Sequence, residues 1–224
     1  MLSASRTPHI ALALVGLCGA LLLGGCKGEK KNKTSAEAWL ASPTSGQKSG
    51  SNINFPDLGV KFEIPETLYV FKNCGEASHS PNENKWVPVV ACSSEGSVSE
   101  GDEDPFAEDE WAEDGAEPID ITFYVTQRGR TLDERAVTWF KSQYTQAGLD
   151  VDELSYQGDF QKKSGIYAKL HVMDNSTGTP TREIIQFMFP SNGVVFIARM
   201  EYPFGETRSV DQDWKYLLWN FEVK

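Results

Sequence analysis

The chain has 224 residues and a formal net charge of −11. That length gives room for one substantial core. The carboxylate surplus repels phosphate backbones, so nucleic acid is excluded as an expected partner.

Arg6 and His9 precede an apolar run from Ile10 to Leu23, which Gly24, Gly25 and Cys26 follow. A positive start, a short apolar segment and small residues before a cut describe a secretory signal peptide, too short for a comfortable membrane span. Residues 1–25 are read as that signal. Leu23-Gly24-Gly25-Cys26 resembles the lipobox of bacterial lipoproteins; Cys18 fits less well, because bulky Leu17 precedes it. The resemblance implies that Cys26 gains a diacylglyceryl thioether, that cleavage occurs before it, and that its new amine is acylated, palmitate being a representative chain. Thiolate nucleophilicity is why a cysteine is needed. One acyl chain gives marginal binding and two or more hold firmly, at about 0.8 kcal/mol per buried methylene. The expected location is therefore the bacterial cell envelope, with the membrane reached through the N-terminal lipid. Lys27, where an aspartate would signal inner-membrane retention, favours the outer membrane over the inner.

Residues 26–51 are rich in Lys, Ser, Thr, Gly and Ala, and read as a flexible tether. Lys27, Lys30, Lys31 and Lys33 form a basic cluster diluted by Glu29, and Ala38-Trp39-Leu40 is a small apolar island. Residues 52–224 are expected to form a single α+β domain.

Val60, Phe62 and Ile64 alternate with Lys61 and Glu63 in a half-buried strand that Pro65 ends. Leu68 to Phe71 resumes extended structure, and Lys85 to Cys92 makes a strand interrupted by Pro88. Cys74 and Cys92 are an even pair in an exported chain, which reads as a disulfide contributing about 3 kcal/mol. Metal ligation or thiol redox work lacks company here, since there is no Cys-x-x-Cys and His79 is the one histidine nearby.

Glu100 to Glu117 holds ten carboxylates and no basic residue. Such a run repels itself, so an acidic disordered insertion is expected at about 95–118. Phe106 and Trp111 among the acids suit a partner-binding segment. A calcium site built on Asp102, Asp104 and Asp109 is the weaker reading, because Asp102 to Ala107 lacks the third ligand and the glycine of an EF-hand loop.

Ile119 to Val125 alternates as a strand. Thr131-Leu132-Asp133-Glu134 reads as a capping box opening a helix with Leu132, Ala136, Phe140, Tyr144 and Ala147 on its apolar face, Val137 beside them and Trp139 off that line. Gly148 stops it. Three strands follow around Ile166–Met173, Ile185–Phe189 and Val194–Tyr202, the last two joined through Pro190-Ser191-Asn192-Gly193. Ser209-Val210-Asp211-Gln212 is a second capping box, before a stripe of Val210, Trp214, Leu217, Leu218 and Phe221. Two helices and five or six strands describe an α+β sandwich.

The order of Gly59-Val60-Lys61-Phe62-Glu63-Ile64-Pro65, the Leu132–Ala147 helix, the three-strand meander and the closing Trp219-Asn220-Phe221-Glu222-Val223 resembles the Mog1/PsbP-like superfamily, which includes DcrB-type lipoproteins. The resemblance implies a twisted, mostly antiparallel sheet covered by amphipathic helices. Cys74 to about Pro118 departs from the family pattern. The family shares no active site, so the resemblance supplies no catalytic residue.

Beyond the signal the chain has two histidines, His79 in a polar loop where it reads as exposed, and His171 on a strand face opposite Leu170 and Val172. No nucleophile elbow, zinc-protease motif or phosphate loop occurs. The expected role is a non-catalytic binding or assembly module with a protein partner in the cell envelope, without cofactor or resident metal. The alternatives are a ligand- or cation-responsive protein using the acidic run, and a hydrolase.

Overall fold

The computed structural model describes residues 34–64, 68–94, 118–206 and 210–223. Cys26 with its signal, Pro65, the acids of 95–117 including Asp102, Asp104 and Asp109, and Ser209 lie outside the described residues. Three α-helices are described: α1 (Ser35–Ala41), α2 (Glu134–Gln146) and α3 (Val210–Trp219). The strands are β1 (Gln47–Ser49), β2 (Asn52–Phe55), β3 (Val60–Glu63), β4 (Asn73–Glu76), β5 (Val87–Ser93), β6 (Asp120–Gln127), β7 (Leu149–Phe160), β8 (Lys163–Met173), β9 (Pro180–Ser191), β10 (Val194–Pro203) and β11 (Phe221–Val223). They form a seven-stranded sheet in the order β4-β5-β6-β10-β9-β8-β7 and a four-stranded sheet in the order β1-β2-β3-β11. Every strand pairing among the described residues is antiparallel.

The large sheet is covered on both faces, so the alternation along its strands sorts two sets of apolar side chains. Ile121, Phe123 and Val125, with Phe187, Phe189, Phe196 and Ala198, pack with the small sheet, α1 and α3 into the main core. At its centre Phe123 stacks on Phe221 at 5.1 Å, and Phe62 meets Phe123 edge-on at 4.9 Å. Ile166, Met188, Val195 and Ile197 point the other way, under Leu132 and Ala136 at the front of α2. Tyr144 near the end of α2 covers Leu149, Ala168, Leu170 and Ile184.

Residues 34–51, expected as the latter part of a tether, are folded. Thr34 and Glu37 form a reciprocal capping box at the start of α1. Ala36 is 0 % and Trp39 3 % exposed, so Trp39 of the apolar island joins Ala36 on the buried face of a short helix while Ala38 faces outward, and β1 adds an edge to the small sheet. Two well-buried side chains sufficed to dock a segment whose polar composition argued against order.

Other local expectations change. Leu68 to Phe71 is a bend rather than a strand. The α2 N-cap is Asp133, whose carboxylate accepts from the amides of Arg135 and Ala136, and not Thr131 two residues earlier. Phe221 belongs to β11, opposite Phe62, instead of completing the stripe of α3. Strand β5 starts at Val87 and absorbs Pro88 through a register shift before Val90. Strand β7, twelve residues long, was not expected at all. Gly148 does end α2, with φ +77°, and Asn192-Gly193, with φ +50° and +81°, closes the β9–β10 hairpin.

Candidate functional site

Cys74 and Cys92 stand opposite each other on β4 and β5 and are joined, with an Sγ–Sγ distance of 2.08 Å. The loop they close carries His79. Its Nδ1 lies 2.9 Å from the Pro88 carbonyl and its Nε2 2.9 Å from Glu76 Oε1. Trp39 and Phe55 cover the ring edge-on at 5.3 and 6.0 Å. His79 is therefore a packed joint, contrary to its expected exposure. Glu76 Oε1 also accepts from the Gly46 amide at 2.8 Å, and Trp39 Nε1 donates to the Thr44 carbonyl at 3.0 Å. These contacts bind the N-terminal segment to the disulfide hairpin.

The densest gathering of ionisable groups is a row across four strands. Asp150 on β7 pairs in register with His171 on β8, His171 with Glu183 on β9, and Glu183 with Tyr202 on β10. A pleated sheet places such partners side by side on one face. Glu183 is buried; it accepts from the Tyr202 hydroxyl and has Lys169 Nζ at 3.3 Å and His171 Nε2 at 3.4 Å. Asp152 reaches Lys169 at 3.4 Å, and Phe204 closes over the His171 ring at 5.2 Å. Burial alone disfavours the Lys169 cation, but Glu183 and Asp152 outweigh it and raise its pKa. A buried carboxylate survives only when surrounded in this way. His171 thus lies on the face expected, among partners the sequence did not announce.

A second network lies on the opposite face, beneath α2. Arg199 donates to Gln186 Oε1 at 3.3 Å and to Glu201 at 3.0 Å, Gln186 Nε2 donates to the Tyr144 hydroxyl at 3.1 Å, and Arg182 donates to Glu201 at 3.0 Å. Burial raises the Tyr144 pKa against the opposing effect of Arg199. Trp139 is half-buried, with Arg130 stacked 4.7 Å from its ring and Phe140 at 4.8 Å.

Two groups tie α3 to the rest. Asp213, 2 % exposed, accepts the amides of Tyr69, Val70 and Phe71 at 3.0, 2.7 and 3.4 Å. Lys163, after the β7–β8 turn, donates to the Leu218 carbonyl at 2.6 Å and so caps the far end of the helix. Burial, reinforced by Lys162 and opposed by Glu222, lowers its amine to about 8. Burial also raises Tyr167 and Tyr202, helped by Glu153 for the first and by the Glu183 hydrogen bond for the second.

These shifts act in opposite directions at alkaline pH. Above about pH 8 native Lys163 has released a proton that the unfolded lysine keeps, so its cost to stability is relieved with rising pH. Above about pH 10 unfolded tyrosines ionise while Tyr144, Tyr167 and Tyr202 hold their protons, so stability falls. Urea midpoints across this range are expected to drop above about pH 10. Tyr202→Phe is expected to shrink that drop, and Lys163→Met to remove the gain that precedes it.

Sequence reasoning missed Glu183, Gln186, Lys163 and Asp213. Only Asp213 had a legible signal: a carboxylate at the third step of the Val210, Trp214, Leu217 stripe. Among the described residues no group of three or more His, Cys, Asp or Glu is placed to hold a metal ion.

No family model and no curated protein matches the chain. Among solved structures it is similar to the solution structure of cyanobacterial PsbP (CyanoP) from Synechocystis sp. PCC 6803, at 9 % identity and a TM-score of 0.45, over 82 % of this chain and 99 % of that one. The α+β class itself stands on the two antiparallel sheets and three helices of this chain.

Proposed function

We propose that the chain is a lipid-anchored protein of the bacterial cell envelope, held through Cys26, that works as a non-catalytic binding or assembly module for another envelope protein. The anchor rests on the lipobox sequence. No helix of the described residues is long and apolar enough to cross a membrane. From Cys26 to Thr34 are eight peptide steps, which span at most about 29 Å when fully extended, so an anchored domain would stay beside the bilayer.

The observation that carries the binding role is the outer flank of α3. Tyr216 and Trp219, three residues apart on one helix face, are 51 % and 48 % exposed, and Tyr69, held against the same helix by Asp213, is 75 % exposed. Large aromatic side chains left bare along one flank suit a partner surface. Asp152, Lys169, His171 and Glu183 on one face of the large sheet, and Arg182, Arg199 and Glu201 on the other, are by contrast paired with one another. A photo-crosslinking amino acid at Tyr216 of the lipidated protein in native membranes is expected to give a discrete protein adduct that the same group at exposed Lys141 on α2 does not. Equal or absent adducts at both positions would dismiss this flank as a partner surface.

A further inference from the structure

Strand β7 ends the large sheet, and no described strand pairs with its outer side. It runs for twelve residues, whereas the other sheet margins, β4, β1 and β11, have four, three and three. An edge strand turns the amides and carbonyls of alternate residues away from its one neighbour, and that row is a template for a further strand. The register of β7 shifts after Val151 and again after Gln157. Between the shifts, Glu153 opposite Lys169 through Gln157 opposite Gly165 pair without a break. That stretch is a regular ladder whose outer side is unpaired among the described residues.

The two faces of this margin differ in chemistry. Toward α2, Val151, Leu154 and Tyr156 are only half-buried, beside half-buried Phe140, because no further strand completes their cover. On the other face Asp150 and Glu153, in register with His171 and Lys169, are exposed, and exposed Asp152 reaches the same lysine. Asp159 is a fourth exposed carboxylate, and β7 contains no lysine or arginine. Lys169 answers Asp152, and His171 lies 3.7 Å from Asp150. Glu153 and Asp159 have no cation partner among the described residues. The lysines of the β7–β8 turn are engaged elsewhere, Lys163 with the Leu218 carbonyl and Lys162 against the Trp219 ring.

We infer that β7 receives an extended segment of a partner protein as an eighth strand, apolar at the positions facing α2 and basic at the alternate ones. Backbone hydrogen bonds supply the attachment, and side chains of period two supply the selectivity. The apolar set completes the cover over Val151, Leu154 and Tyr156, while the basic set meets Asp150, Asp152 and Glu153. Charge of one sign along an edge guards against pairing with a second copy, which would bring four carboxylates against four. A basic strand turns that repulsion into attraction. Neither the Cys26 anchor nor Tyr216 takes part in this pairing.

The test is amide exchange of the full-length protein mixed with a synthetic peptide in which lysine alternates with threonine or valine. With peptide at about ten times its Kd, the outward amides of β7 are expected to exchange about tenfold more slowly, and those of β4 to be unchanged. N-methylation of every second peptide residue is expected to abolish the effect in one of its two phases. Glutamate in place of the peptide's lysines is expected to abolish it also, and Glu153→Lys/Asp159→Lys to weaken it, with no loss of Tm at these exposed positions. No slowing in β7, slowing in β4 instead, equal slowing by the glutamate peptide, or slowing that survives both N-methyl phases overturns strand addition by a basic segment. Slowing in β7 that rises with protein concentration, without peptide, assigns the edge to a second copy and overturns it too.

Discussion

Asp213→Ala is expected to remove about 3–5 kcal/mol of stability, the largest single effect in the molecule. The carboxylate is buried and takes three consecutive amides, Tyr69, Val70 and Phe71, from a bend that no strand partner satisfies in that stretch. Truncation leaves those donors without an acceptor, two of the three bonds being buried. It also frees the segment from α3, exposing Val70 and Phe71, both part of the main core. Asp213→Asn keeps the shape but loses the charge and turns one acceptor into a donor, so an intermediate loss of about 2 kcal/mol is expected. Asp211→Ala, exposed and paired with Lys215 at 3.5 Å, is expected to change stability by less than about 0.5 kcal/mol. Urea unfolding followed by tryptophan fluorescence reads all three, since Trp214 is buried beside the site. Equal midpoints for Asp213→Ala and Asp211→Ala would show that the three amides find other partners.

Removing the disulfide is expected to cost about 3 kcal/mol, from the release of an 18-residue separation in the unfolded chain. For a domain of this size that corresponds to a fall of about 6–12 °C in Tm. The consequence spreads beyond β4 and β5, because the same hairpin holds Glu76 and His79 against Gly46, Trp39 and Phe55. Cys74→Ala/Cys92→Ala is therefore expected to raise amide exchange in α1 as well as in β4. Reduction of the wild-type protein should reproduce the lowered Tm. An unchanged Tm with unchanged exchange in α1 would show that Trp39 packs independently of the bridge.

The parts of the fold visible in the sequence are those where one physical rule acted alone. Alternation marked β6, β8 and β10 because each is half or wholly covered on known faces, and Asn192-Gly193 marked the hairpin because its positive φ values demand those residue types. Strand β7 escaped because it is a sheet edge: Asp150, Asp152, Glu153 and Asp159 face outward along it, and little apolar periodicity remains. Helix α1 escaped because its docking depends on Trp39 meeting His79 and Phe55, contacts that composition does not record. The polar row of Asp150, His171, Glu183 and Tyr202 was invisible for a related reason. Its members come from four strands, and only the registers bring them together. Thr131 and Asp133 compete for one helix start, and the aspartate won as the residue nearest the first free amides.

The most direct measurement is metabolic labelling with a palmitate analogue, followed by membrane fractionation, of the wild type and of Cys26→Ser. Label in the wild type and its loss in the serine variant, together with release of a folded protein from the membrane fraction, is the expected result. Equal labelling and equal membrane retention in both proteins would contradict attachment through Cys26, and with it the placement of the domain at the envelope surface.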